Sequence, residues 1–337
     1  MRCTHTEVVP DCQARARSSI VALSGVCLLS IVMPVSPLAA QGAGSTGATV
    51  LQLLAGSRAA ALSGAYSAAT NDADVLFYNP AGLAGLDAAA GLSYQRHVEE
   101  IGVASGSAAF RVGRIVLGAS AIFLDYGDID ELVPDPDFGG QTGIPTGNVV
   151  SATETAARLG AALPMMDGRL NIGAAAGFVS TDFAGASRST VLFDAGAQYV
   201  LPGITFGAAI RNLGGSLTGG GLAEAELPSE ARAGAMVEFT RETGLGVVVS
   251  ADVVHELNAS LTGVVAGVEA GLFPRAESQV GAVARIGYDA GTGDEGQGAL
   301  RLGGGLSVGR FAIDYAYQNY ELFGSLHRFG VRWVRRN

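Results

Sequence analysis

The sequence predicts an all-β protein: a transmembrane antiparallel β-barrel of about 14 strands, with a small N-terminal helical plug. Three observations predict it. Apolar residues make up 48% of the 337-residue chain and charged residues only 15%, against about 25% charged in an ordinary soluble domain. The body of the chain has no apolar run of the roughly 18 residues that a membrane-crossing helix needs. From about Ala88 onward, apolar residues instead recur at every second position, the period with which side chains alternate across a strand.

The N-terminus reads as an export signal. Arg15 and Arg17 supply the positive region, Ile20 to Val35 the apolar stretch, and Pro37-Leu38-Ala39-Ala40 a small-residue cleavage site before Gln41. Residues 1–40 are therefore expected to be a leader. All three cysteines, Cys3, Cys12 and Cys27, fall within it, which leaves neither a disulfide framework nor thiol chemistry in the mature chain.

Residues 41–87 are expected to form the plug. Leu51 to Thr70 is Ala-rich and helical in pattern, Asn71-Asp72 marks a turn, and Asp74-Val75-Leu76-Phe77-Tyr78-Asn79-Pro80-Ala81-Gly82-Leu83 follows. The cluster Leu76, Phe77 and Tyr78 suits a packed segment better than a solvated tail. A barrel of this size has room for it, since eight strands nearly fill their own interior and sixteen leave an aqueous channel.

Residues 88–337 are expected to be the barrel, with strands near 88–98, 102–112, 114–125, 150–163, 169–181, 188–200, 203–213, 230–240, 246–256, 260–272, 278–289, 298–308, 310–321 and 325–334. Their length suits a tilted membrane strand better than the five or six residues of a soluble one. Aromatic residues mark strand ends at Tyr94, Phe123, Phe178, Tyr199, Phe239, Tyr288 and Trp333, as interfacial girdles do. Short links alternate with longer ones at about 126–149, 214–229 and 290–297, which reads as short turns on one side and extracellular loops on the other. The face opposite the apolar one carries Arg158, Asp194, Arg211, Arg232, Glu238, Asp252, Glu269, Arg285, Arg301, Asp314 and Arg328. These are expected to face the lumen, pair with one another and anchor the plug. Their mixed signs do not suit an ion-selective constriction.

Several function classes have little support. The net charge is −10 and all 21 basic residues are Arg, so neither a basic nucleic-acid footprint nor a Lys-dependent phosphate loop is present. No cofactor or metal is expected, and no catalytic residue. His97, His255 and His327 stand apart in different strands, and His255-Glu256 lacks the second histidine of a zinc-protease motif. Gly303-Gly304-Gly305 lies in an alternating strand without the following helix of a dinucleotide site. Asp125, Asp128, Asp130, Glu131, Asp135 and Asp137 lack calcium-loop spacing and read as a solvated loop.

The segment Arg58 to Leu86, with Gly64-Ala65-Tyr66 and then Tyr78-Asn79-Pro80-Ala81-Gly82-Leu83, resembles the N-terminal signature of the PorV/PorQ family of outer-membrane proteins. The likeness continues through Leu124-Asp125-Tyr126-Gly127-Asp128, Asp194-Ala195-Gly196-Ala197-Gln198-Tyr199, Arg211-Asn212-Leu213-Gly214, Pro228-Ser229-Glu230-Ala231-Arg232, Asp314-Tyr315-Ala316-Tyr317 and His327 to Trp333. The resemblance implies an outer-membrane, non-enzymatic component of type IX-like protein export or surface attachment. Its implied partners are outer-membrane lipid, C-terminal sorting domains of secreted proteins and other secretion-system subunits. The Asn-Pro-Ala-Gly-Leu segment is shared more loosely with FadL-like channels, where an N-terminal hatch plugs a fourteen-stranded barrel. The alternative expectation is accordingly a passive transporter of hydrophobic small molecules or fatty acids.

Overall fold

The computed structural model describes residues 46–96, 101–259, 261–274, 279–291, 297–320 and 324–335. The expected leader, its cysteines and His97 lie outside the described residues. Fourteen strands follow one another in chain order: β1 (Ala88–Arg96), β2 (Gly102–Val112), β3 (Ile115–Pro134), β4 (Gly143–Met165), β5 (Leu170–Phe183), β6 (Ala186–Leu201), β7 (Ile204–Gly214), β8 (Glu230–Thr240), β9 (Leu245–Glu256), β10 (Leu261–Leu272), β11 (Val280–Ala290), β12 (Gln297–Val308), β13 (Phe311–Tyr320) and β14 (Gly324–Arg335). Each pairs antiparallel with its sequence neighbours, and β1 closes on β14 from Ala88 opposite Arg335 to Arg96 opposite His327. Closure leaves no unpaired edge, the condition for strands to cross a bilayer.

Alternation places one set of side chains outside and the other inside. In β9, Val248, Ser250, Asp252 and Val254 are buried while Leu245, Val247, Val249 and Val253 are exposed. Around the whole wall the large apolar residues face outward, with Leu92 and Leu159 each 71% exposed, whereas the buried set holds Arg158, Arg211, Arg232, Arg285, Arg301 and Arg328 and several acids. Water would not tolerate a continuous apolar exterior of this kind, so the solvent on that face is lipid. The chain is a multi-pass outer-membrane β-barrel. The two-residue links 113–114, 202–203 and 309–310 and both ends of the barrel domain, Ala88 and Arg335, lie at one rim; the long connections 135–142 and 215–229 lie at the other, together with the short turn at Ala184-Gly185. By the usual arrangement of such barrels these are the periplasmic and extracellular rims.

The structure corrects two expectations. The segment read as an acidic loop at 126–149 is largely a hairpin, because β3 and β4 continue past the barrel and pair Asp128 with Ser151 and Pro134 with Gly143. Irregular register between Asp125 and Asp128, with Gly127 at φ 76°, marks where the ladder leaves the wall. Beyond that point most residues are exposed, so no apolar alternation announces the strands. In the plug, the helical pattern of Leu51 to Thr70 yields only α1 (Ser57–Ala61). Gly56, Ser63 and Gly64, all at positive φ, bound that single turn, and the rest is short 3-10 turns at Thr49–Leu51, Ala73–Phe77 and Pro80–Gly85. Alanine propensity cannot hold an isolated helix this short; contacts with the wall set its path.

Candidate functional site: the seat of the plug

Residues 46–87 lie against the inward faces of the strands. Thr46 begins beneath the extracellular connection between β7 and β8, where the Gly47 N–H donates to the Glu226 carbonyl at 2.9 Å. The chain then runs toward the periplasmic rim and enters β1. Its interior side chains, among them Leu62, Tyr66, Val75, Leu76 and Leu83, are fully buried.

Close approach of the plug to the wall depends on inward-facing glycines. A Cβ at Gly207 would stand 2.1 Å from the Ser67 carbonyl oxygen, one at Gly173 2.5 Å from the Ala81 nitrogen, and one at Gly287 2.6 Å from the Ser63 nitrogen. Gly118, Gly160, Gly267, Gly303 and Gly330 are likewise filled by plug side chains. Gly303, read from the sequence as a small close-packed strand residue, receives Ala61. Backbone-to-backbone packing of this kind admits no side chain.

The motif Tyr78-Asn79-Pro80-Ala81-Gly82-Leu83 is buried throughout. The Asn79 carboxamide oxygen accepts from the Ala81 N–H at 3.0 Å and so caps the turn that Pro80 opens, a position suited to both residues. Its amide donates to the Ser67 carbonyl at 2.7 Å. Tyr78 donates to the Ala55 carbonyl at 2.8 Å while accepting the Ala55 N–H at 3.1 Å, tying the two ends of the plug together.

The inward charges form two groups. In the first, three arginines and three carboxylates alternate around a closed ring. Arg58 of the plug makes two 3.0 Å hydrogen bonds to Glu269 on β10. Glu269 also accepts from Arg285 on β11, and Arg285 donates to Asp314 on β13 at 2.7 Å. Asp314 accepts from Arg332 on β14 at 3.0 Å, and Arg332 donates to Asp72 of the plug at 3.1 Å. Tyr66 bridges back, donating to Asp72 at 2.8 Å and accepting from Arg58 at 3.2 Å. Full pairing is what makes buried charge tolerable, since a partnerless ion in such a place costs several kcal/mol. Asp74 sits beside the ring as an additional carboxyl. Burial, and next to it the Asp72 carboxylate, pushes it up to about 7, and Ser107 donates to it at 2.5 Å.

The second group lies toward the extracellular rim. Arg158 donates to Asp194 at 2.8 Å and to Asn212 at 2.6 Å. Arg211 and Arg232 both donate to Glu230, at 2.5 and 2.9 Å, and their guanidiniums stand 5.6 and 5.3 Å from the centre of the Tyr78 ring. Asp252 accepts from the backbone N–H groups of Tyr66 and Ser67 at 3.0 and 2.9 Å, and from the Ser67 hydroxyl at 2.7 Å. Arg328 donates to Gln95 at 2.7 Å and also to the Leu54 carbonyl. A cavity of about 50 Å³ remains between Leu51, Leu54, Phe77, Ile122, Arg211 and Arg232. It is small and of mixed polarity rather than a continuous apolar pocket.

Ten of the eleven charged residues read as lumen-facing are buried on the inner wall; Glu238, close to the periplasmic end of β8, is exposed. Sequence reading missed Arg58, Asp72 and Arg332. Arg332 shares the parity of Arg328 and could have been found from it; the plug residues Arg58 and Asp72 lie outside any strand and carry no such signal. No group of three or more His, Cys, Asp or Glu placed to hold a metal occurs among the described residues.

No family model and no curated protein matches the chain. Solved structures do match it in fold. The chain is similar to the Ralstonia pickettii toluene transporter TbuX, at 15% identity and a TM-score of 0.53, over 84% of this chain and 98% of that one. It is similar to the CymD monoaromatic hydrocarbon channel at 14% identity and a TM-score of 0.57, over the same shares. A Pseudomonas aeruginosa FadL homologue matches at 13% identity and a TM-score of 0.50, over 83% of this chain and 98% of that one. These matches correct the expectation of PorV/PorQ membership, and with it the expected part in type IX secretion. The physical reason for the misreading lies in the motif itself. Its residues are consumed in seating the plug, a packing role that says nothing about cargo.

Proposed function

We propose that the chain is a non-enzymatic outer-membrane channel for hydrophobic small molecules, closed at rest by its plug. One observation carries the reading: a wide barrel is shut by a segment seated in glycine notches and one closed ring of ion pairs, not filled by side chains of the wall itself. Such a seat holds a defined closed position and can be left as a unit. Similarity in fold to a toluene transporter and a monoaromatic hydrocarbon channel supports hydrophobic cargo. Passage requires the plug to move, because the cavity beside it is far smaller than a ligand site of about 300 Å³ or more.

The test is uptake of radiolabelled toluene and of a long-chain fatty acid by intact cells with and without the gene. Loss of the gene slows uptake of at least one, and wild-type protein restores it. A Ser57→Cys, Gly330→Cys variant should not restore it until reduced; a Cβ at Gly330 would lie 3.1 Å from that of Ser57, so a shift of about 0.5 Å brings the pair into the disulfide range of about 3.5–4.5 Å. Uptake of both compounds unaffected by the gene, or equally good with the plug cross-linked, would sink the proposal.

A further inference from the structure

The part of the β3–β4 hairpin that rises beyond the barrel has no role in the channel reading. Its acids, Asp125, Asp128, Asp130, Glu131, Asp135 and Asp137, place it in water rather than lipid. Yet Ile129, Leu132, Val133, Ile144 and Val149 are each 44–57% exposed there. A two-stranded ribbon is marginally stable in water by itself, and a third strand would both pair its edge and cover its apolar residues.

The two edges of the ribbon differ. On β4, Pro145 has no N–H to offer, Gly147 at φ 80° bends the chain, and the Ser151 carbonyl already accepts from the Ala184 N–H at 3.0 Å. Proline and irregular backbone are common ways of blunting a sheet edge. On β3, the ladder with β2 ends at Asp125 opposite Gly102, and among the described residues no strand pairs with the far side of Asp128 to Val133. No proline interrupts that stretch. Asp128 and Asp130 share one face of the strand and Ile129 takes the other, all three exposed. Glu131 is turned back onto β4, accepting from Thr146 and Asn148 at 2.7 and 2.9 Å. The open edge is thus guarded by charge alone.

Like charges directly across a ladder destabilise it, whereas opposite charges stabilise it. An acidic edge therefore repels a second copy of itself and admits a basic strand. We infer that the β3 edge from Asp128 to Val133 takes up, by strand addition, an extended segment of a basic partner polypeptide in which Lys or Arg alternates with apolar residues. Backbone hydrogen bonds supply the affinity and alternate side chains the selection, with basic residues beside Asp128 and Asp130 and apolar ones beside Ile129.

The experiment is fluorescence anisotropy of short labelled peptides titrated with the purified full-length barrel in an uncharged detergent. One peptide alternates lysine with valine, one alternates glutamate with valine, and a third is the lysine peptide methylated at every backbone nitrogen, which keeps the charges but cannot donate. Wild type should bind the lysine peptide about tenfold or more tighter than either of the others. Asp128→Asn with Asp130→Asn should weaken that binding about fivefold, the scale of two cross-strand charge pairs. Glu224→Gln, exposed on the β7–β8 connection, should leave it unchanged. Joining Asp128 to Ser151 through a short glycine turn should abolish it, and heat-modifiable gel migration verifies that each variant is folded. No preference of wild type for the lysine peptide over the glutamate one overturns the inference. So does a methylated peptide bound as tightly as its parent, which would leave charge without strand addition, or undiminished binding in the double Asn variant or without the hairpin. A wild-type dimer that loss of the hairpin dissolves would make a second copy the occupant and overturn it equally.

Discussion

Replacing Asp252 by Ala is the sharpest test of how the plug is held. Its carboxylate accepts three hydrogen bonds from the plug, from the Tyr66 and Ser67 N–H groups and the Ser67 hydroxyl, all between 2.7 and 3.0 Å. Hydrogen bonds to a charged group are worth about 1.5–3 kcal/mol each. Members of one network are not additive, so the lower end of that range applies and the loss is about 4 kcal/mol. That corresponds to roughly a thousandfold rise in the population with Tyr66 and Ser67 released. Arg232 keeps Glu230 as a partner at 2.9 Å, so the effect is on the plug and not on the wall. Hydrogen exchange followed by mass spectrometry reads it directly, as faster exchange in peptides covering Tyr66 to Thr70 with the β9 strand still protected. Asp252→Asn keeps one acceptor oxygen and should fall between. If Asp252→Ala leaves those peptides as protected as in wild type, the carboxylate does not hold the plug.

Gly207→Ala places a Cβ where the Ser67 carbonyl now sits and should destabilise by about 1–3 kcal/mol, as overpacking does; it is seen as a lower temperature for the heat-modifiable gel shift. Gly85→Ala, with nothing within 4 Å of the new atom, is its neutral counterpart, and equal shifts for the two would count against the notch account. Glu269→Gln takes a carboxylate from between Arg58 and Arg285 and should cost about 3–5 kcal/mol, the price of a broken buried pair, measured by the same thermal shift. Asp74 adds a pH dependence. Its seat favours the neutral acid, so its contribution is complete below the unfolded value near 3.8 and is lost as pH rises through about 7. Protection of the Ala73–Phe77 turn should therefore fall between pH 4 and 7.5, and Asp74→Asn should flatten that part of the profile; a slope unchanged in the variant would refute it.

The barrel was legible in the sequence because lipid outside and polar contacts inside impose one simple rule on every residue of the wall. A period of two decides which side each residue faces, and it placed β2 and β8 at their observed bounds and nearly all the other strands within a few residues. Where lipid ends the rule ends too, which is why the β3–β4 extension, exposed on both faces, looked like a loop. Tertiary structure alone decided what the inward residues do. Glu269, Arg285, Asp314 and Arg332 come from four strands between positions 269 and 332, and only closure of the barrel sets them around Arg58 and Asp72. The glycines read as composition until a plug backbone was found against them. The motif at Asn79-Pro80 pointed to a family because local sequence records a turn and its cap, while the barrel's use depends on what that turn is packed into. Alternation is a local property of the chain, and the seat of the plug is a property of its closure.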